Sequence, residues 1–208
     1  MNSIQRHTGY MIKDFSGELF FLKHTATNRS KKIFWTLYNI IKGFLLGIKI
    51  KNKTGFIGNT VFSRYQLSSI EIGENCLFNS SSYFNLIGIN HNCIISTHSE
   101  EAIIQIGNNC GFSGTVVGAF KSIKIGNNVR CGANTIITDF DWHLDDPRTG
   151  DPKEVIIGDN VWLGINCIVL KGVTISENAL IGANSVVTKN IPANVIAAGN
   201  PCKVIKEM

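Results

Sequence analysis

His143 stands in the most chemically loaded stretch of this chain, the run Thr138 to Glu154, where Asp139, Asp141, Trp142, Asp145, Asp146 and Arg148 surround one imidazole. An imidazole with a pKa of about 6.5 can take a proton from an alcohol and return one to a leaving group near neutral pH. A carboxylate beside it, Asp141 or Asp139, can fix the ring's orientation. An aspartate in a loop as readily bonds its own backbone turn. Trp142, and Trp162 further on, offer flat faces for a substrate or shield the loop base. Lys189, Lys203 and Lys206 follow towards the C-terminal end; lysine meets phosphate as a point charge, and taken alone three lysines are solvated surface.

These groups hang on a repeat. From Val155 to Val187 an aliphatic residue falls at every sixth position, through Ile157, Leu163, Val169, Ile175, Ile181 and Val187. Two residues before each stand Val155, Val161, Cys167, Val173, Ala179 and Ser185, a column of smaller side chains. Neither a helix period of 3.6 nor a strand period of 2 calls for six. A coil with three short flat faces does, and tandem repetition at fixed period signals a solenoid. Upstream, Ile72-Gly73, Ile106-Gly107, Ile125-Gly126 and Ile157-Gly158 open matching segments, with Ile89 to Ile95 a looser copy. The steps between leading isoleucines are 17, 17, 19, 32 and, to Ile175, 18 residues. The long step is one coil plus the polar run around His143, so a loop leaves the prism at 138–154. Gly-Asn, Gly-Asp and Asn-Asn pairs fall where each coil must turn and tolerate the positive φ of corners. The spacing predicts about seven coils between Ile57 and Pro192, a prism on the order of 35 Å long at about 4.8 Å per coil.

The hexapeptide pattern resembles the left-handed parallel β-helix of the hexapeptide-repeat acyltransferases over roughly residues 55 to 208. The hand rests on that resemblance, since the general rule for parallel crossovers gives right-handed connections. The loop is similar to that of the galactoside and maltose O-acetyltransferases, in which a catalytic His lies one coil before an Asn-Val-Trp-(Ile/Leu)-Gly stretch; His143 and Asn160-Val161-Trp162-Leu163-Gly164 match. The runs Ile181 to Pro192 and Ala197 to Lys206 resemble the acetyl-CoA groove of those enzymes. Carried over by position, Ala183 and Thr188 line the pantetheine and adenine path and Lys189, Lys203 and Lys206 meet phosphates, with Trp162 beside the cofactor. The resemblance implies direct attack in a ternary complex, His143 as general base, and an oxyanion met by backbone N–H groups at Gly164-Ile165. It also implies a homotrimer with active sites between subunits.

At the acceptor end the pattern departs. The stretch Gly111 to Phe120 lacks the carboxylate and amide with which galactoside-type enzymes grip sugar, and their helical N-terminal region is not recognisable in residues 1–54. The segments Gly111-Phe112-Ser113-Gly114 and Asp139 to His143 resemble bacterial enzymes that O-acetylate capsule, O-antigen or other surface glycans. Ser113, Trp142 and Arg148 are then acceptor candidates. A chloramphenicol or streptogramin acetyltransferase shares the same fold, loop His and groove. A carbonic-anhydrase-like zinc site lacks its His-x4-His pair here, and a bare scaffold leaves the loop and lysines unexplained.

Composition fits one solenoid domain, 55–208, behind an N-terminal extension, 1–54: 208 residues, 44% hydrophobic, 20 glycines and a net charge of +5. The chain is expected to be cytoplasmic, without a signal peptide, so its 6 cysteines are expected as free thiols. Cys76, Cys93 and Cys110 share one slot in three successive copies, and Cys131 and Cys167 also fall inward. No CxxC pair suggests zinc, no P-loop or dinucleotide fingerprint appears, and the basic residues lack the aromatic interleaving that marks nucleic-acid binding. His7 and His24 are isolated. Phe34, Leu37, Tyr38, Ile41, Leu45 and Ile48 have helical spacing with lysines at both ends, and Thr36, Asn39 and Lys42 share the opposite side. Two readings fit: a helix held at an anionic membrane surface, or a cap over the open end of the first coil, which solenoids require.

Overall fold

The computed structural model describes residues 15–143 and 145–208, with side chains from residue 29 onward. His7 and the His24 side chain lie outside the described residues. Among the described residues a single long helix, α1 (Phe15–Leu45), leads into a three-sided prism. The first coil comprises β1 (Lys49–Ile50), β2 (Gly55–Ile57) and β3 (Val61–Ser63), and the second β4 (Ser69–Ile72), β5 (Leu77–Asn79) and β6 (Ile94–Thr97). Next come β7 (Ile103–Ile106), β8 (Gly111–Ser113) and β9 (Val116–Ala119), then β10 (Ser122–Ile125), β11 (Arg130–Cys131) and β12 (Ile136–Thr138). The fifth coil is β13 (Val155–Ile157), β14 (Trp162–Leu163) and β15 (Ile168–Val169), and the sixth β16 (Thr174–Ile175), β17 (Leu180–Ile181) and β18 (Val186–Val187). β19 (Val195–Ala198) begins a seventh, and β20 (Lys203–Glu207) folds back antiparallel upon it. Equivalent strands stack into sheets A (β1 to β16), B (β2 to β20) and C (β3 to β18).

The period of six arises because each face buries two side chains of one coil on the residues above and below. Ile72, Ile106, Ile125, Ile157 and Ile175 form one column in sheet A, and Phe56, Phe78, Phe112, Cys131, Leu163, Ile181 and Ala197 another in sheet B. The three phenylalanines stack with centroids 5.1 and 4.7 Å apart. Aromatic side chains fill the first three coils and smaller ones the later three. The A–B corner carries an asparagine ladder: Asn75, Asn109, Asn128, Asn160, Asn178 and Asn194 all adopt φ near +58° (57 to 59°). Each side-chain amide donates to the next carbonyl at 2.9–3.1 Å. Short polar residues accept this left-handed conformation at small steric cost.

The structure corrects the assignment of one coil. Ile72 pairs with Ile106, not with Ile89, so the 34 residues between them are one coil plus an insertion, residues 80–93, between β5 and β6. An insertion about as long as a coil preserves the apparent period, and Ile89, buried within it, supplies the false repeat. The prism therefore has six complete coils and part of a seventh. The cysteine column is corrected with it: Cys76 and Cys110 share a register, while Cys93 stacks in sheet C between Thr60 and Thr115. All six cysteines are free and buried.

The helix covers the first coil with its polar side. Asn39, fully buried, donates from Nδ2 to Gly58 O at 3.0 Å and accepts the Thr60 amide at 3.1 Å. Thr36 Oγ1 accepts the Phe56 amide at 3.0 Å, and Lys42 Nζ donates to Asn59 Oδ1 and Thr60 O. The first coil of a stack exposes unpaired backbone N–H and C=O groups, and each left buried without a partner costs about 1–3 kcal/mol. Polar residues on the capping side answer that demand, and the burial this imposes on Lys42 lowers its pKa. The apolar side of α1 consequently faces outward.

Candidate active site

The His143 loop leaves the prism at the C–A corner, after β12. Asp139, fully buried, plugs its root: the carboxylate accepts the amides of Phe120, Lys121 and Ser122 at 2.7, 2.8 and 2.5 Å, where the turn of the third coil would otherwise leave them unpaired. Phe140 is buried next, its ring 5.5 Å from that of Phe120 and 5.3 Å from the imidazole of His98. Trp142, about half exposed, leans on Phe140 at 4.7 Å and meets His98 edge-on at 4.9 Å. Its ring lies over Gly118, where an added Cβ would stand 2.9 Å from Trp142 Cζ2. His98 in turn is 2.9 Å from Ser96 Oγ through Nε2, and burial lowers its pKa, partly opposed by the charge of Asp139.

Beyond Trp142 the loop is tied at its neck. Lys171, from the corner after β15, reaches Asp141 Oδ2 at 2.5 Å and Gly150 O at 2.8 Å, while the Gly150 amide donates to the same carboxylate at 3.2 Å. The ammonium holds Asp141 below the usual carboxylate range. Asp139 and Asp141 are thus engaged by backbone amides and by Lys171 respectively, which leaves them as anchors of the loop in the single chain. His143 is exposed, and among the described residues no hydrogen bond or ion pair reaches its ring. Arg148 is paired with Asp146 on the outer rim, with Nε 2.8 Å from Oδ1.

A second locus lies at the B–C corner. Gly132, Gly164 and Gly182 follow one another in successive coils, and a Cβ on Gly164 would come within 2.7 Å of the Ala183 nitrogen. Glycine here lets the coils close up and leaves a groove of about 430 Å³ lined by Trp162, Gly164, Ile165, Ala183 and Ser113. The insertion 80–93 adds Asn85 and Ile87 as an outer wall. It is fixed there by Asn134, which accepts the Asn90 amide at 3.0 Å and donates to Gly88 O at 3.2 Å. Of the two expected oxyanion donors, the Gly164 amide is committed to Ile181 O at 2.8 Å, and among the described residues the Ile165 amide enters no such pair. Five of the expected residues therefore meet in one groove.

The others lie elsewhere. Thr188 and Lys189 are exposed in the turn after β18, and Lys203 and Lys206 are exposed on β20, opposite Ala198 and Ile196. Within one chain the His143 loop and the Trp162 groove occupy different corners, separated by sheet C. At about 3.3 Å per residue, one face sets them roughly 15–20 Å apart. Residues that sequence reasoning passed over include His98, Lys171, Asn85 and Ile87. Once the insertion is recognised, register places His98, Phe120 and Phe140 in one column at the loop's root, a signal the 17-residue spacing had hidden. Lys171 carries no comparable signal. Among the described residues no cluster of three His, Cys, Asp or Glu is placed to hold a metal ion.

Residues 154–189 match the family model for the bacterial transferase hexapeptide (six repeats). The chain is 40% identical over 101 residues to a galactoside O-acetyltransferase of Escherichia coli (strain K12), covering 47% of this chain and 49% of that one. It is 39% identical over 143 residues to a galactoside O-acetyltransferase of Lactococcus lactis subsp. lactis (strain IL1403), covering 66% and 63%. The chain thus spans about half to two thirds of the length of these curated relatives. Among solved structures, a variant of AntD, an N-acyltransferase from Bacillus cereus in complex with dTDP-4-amino-4,6-dideoxyglucose and coenzyme A, superposes with a TM-score of 0.61 at 19% identity, covering 80% of this chain and 87% of that one. That likeness is one of fold, and with the repeat it gives the prism its hand: a left-handed parallel β-helix.

Proposed function

We propose that this hexapeptide-repeat protein is an acetyl-CoA-dependent O-acetyltransferase that acetylates a sugar hydroxyl of a surface polysaccharide or its precursor. One observation carries the reading: Ser113, Trp162, Gly164, Ile165 and Ala183, far apart in sequence, converge on one groove, and among the described residues the Ile165 amide enters no backbone pair. Local identity of 39–40% to two galactoside O-acetyltransferases supports acetyl transfer to a sugar. The missing carboxylate and amide in Gly111 to Phe120 argue for a different acceptor from theirs.

In this reading the thioester lies along the groove with its carbonyl oxygen at the Ile165 amide, which stabilises the negative charge that develops on attack. His143 removes the proton of the acceptor hydroxyl, the oxygen bonds to the acetyl carbon, the C–S bond breaks, and the imidazolium returns the proton to the departing thiolate. Thr188, Lys189, Lys203 and Lys206 meet the nucleotide end of CoA, while Ser113, Trp142 and Arg148 serve the acceptor. Asp141 acts through Lys171, holding the loop neck so that His143 projects. Because the loop and the groove lie on different corners of one prism, a threefold assembly is proposed, in which the loop of one subunit reaches the groove of the next.

The test is thiol release from acetyl-CoA by wild type and His143→Ala across nucleotide sugars, lipid-linked glycans, galactosides and chloramphenicol. The expected outcome is turnover with a glycan acceptor that falls about 100-fold or more in the variant, the size of a lost general base. Undiminished turnover in His143→Ala would remove this residue from the mechanism, and turnover with chloramphenicol alone would move the acceptor to an antibiotic.

A further inference from the structure

We propose that the outward face of α1 docks the protein on an anionic lipid bilayer. The rotation of the helix is fixed, because Thr36, Asn39 and Lys42 are committed to the first coil. The residues on the far side are Phe34, Leu37, Ile41, Phe44 and Leu45, between 58% and 79% exposed. Spaced at three and four residues, they form one continuous apolar stripe along the last three turns. Scattered exposed hydrophobics need no explanation, whereas an aligned patch of this kind does. Among the described residues no helix is long and apolar enough to cross a membrane, so the stripe suits a helix lying in the interface.

Charge selects the occupant. Between Leu19 and Ile70 the chain has nine lysines and arginines and no aspartate or glutamate, so this one segment exceeds the whole net charge of +5. Arg29, Lys32 and Lys53 line a groove of about 700 Å³ beside the stripe, together with Ile33, Leu37 and Leu77. Cations bordering an apolar face can hold their stems in the interface and present their charge to phosphate headgroups. A second copy of the chain seated on the same face would bring like charges together. A nucleic acid would answer the cations and leave the apolar stripe wet.

The test uses the full chain and sedimentation with vesicles of phosphatidylcholine alone or mixed with phosphatidylglycerol. Binding to the mixed vesicles is expected, weakening with salt. It should fall at least about tenfold in Leu37→Gln/Phe44→Gln and about fivefold for each of Lys32→Gln and Lys53→Gln. Thiol release on a soluble acceptor is expected to stay unchanged in all of these variants, which separates the membrane face from the acetyl-transfer reading. Absence of wild-type binding to mixed vesicles would overturn the proposal, as would equal binding by Leu37→Gln/Phe44→Gln. A smaller particle by light scattering in that variant, with vesicle binding unchanged, would instead assign the face to a subunit contact.

Discussion

His98 touches the loop without belonging to it, and its protonation state bears on how Trp142 is held. Its ring packs on Phe140 and Trp142 and bonds Ser96. Burial, the larger influence, lowers its pKa, and Asp139 offsets part of that. A base whose folded pKa lies below its unfolded value is protonated first in the unfolded chain. Its contribution to stability is therefore complete above about pH 6.5 and is lost as pH falls towards the folded value. A proton titration of the His98 ring is expected to give a midpoint below 6.5, with Trp142 fluorescence changing over the same window; a midpoint at or above that value would contradict the packing. A charged His98 would also lie against Trp142, the neighbour of His143 in the chain, so the proposed acetyl transfer is expected to weaken over the same limb.

Among elements, the loop at 139–154 owes its shape to the turn beneath it. Asp139 satisfies three amides of the third coil at once, so Asp139→Ala removes charge-assisted bonds and leaves buried donors unpaired. A loss of about 2–4 kcal/mol in chemical denaturation is expected, with loop geometry disturbed in the folded fraction; a change below about 0.5 kcal/mol would mean that water replaces the carboxylate. The loop itself was legible as the break in the six-residue period between Ile137 and Val155, and the corners were legible from their asparagines. The insertion at 80–93 was not, because its length nearly equals a coil and Ile89 falls at a repeat position. The orientation of α1 was hidden for a different reason. Amphipathic spacing alone sends the apolar side inward, but the end of a β-stack offers backbone polar groups, and Thr36, Asn39 and Lys42 answer them. Resemblance names Trp162, Gly164, Ile165 and Ala183, which line the groove, together with Thr188, Lys189, Lys203 and Lys206, which do not, and only the register shows that the Gly164 amide is already used and that His143 lies on another corner.

At the scale of the whole molecule, the two ends of the prism are closed by different means: α1 lays side-chain donors and acceptors over the first coil, and β20 runs antiparallel along β19. Between them the internal coils share one plan, since parallel strands, the asparagine ladder and the inward columns each continue from one coil to the next. Such a stack has no intrinsic length; it is a growing polymer whose propagation has been terminated at both ends. β20 reverses strand direction and ends in a row of exposed residues, Lys203 to Glu207, two of them lysines. This is the kind of charged, reversed edge that discourages another chain from adding on. Deleting residues 203–208 is expected to leave the coils folded and to turn the prism into a seed. Light scattering should then rise steeply with concentration, and rods about one prism wide should appear in electron micrographs. If the shortened chain instead keeps the size of the intact one, the termination resides in α1 alone, and one sealed end is sufficient to keep this fold from becoming a filament.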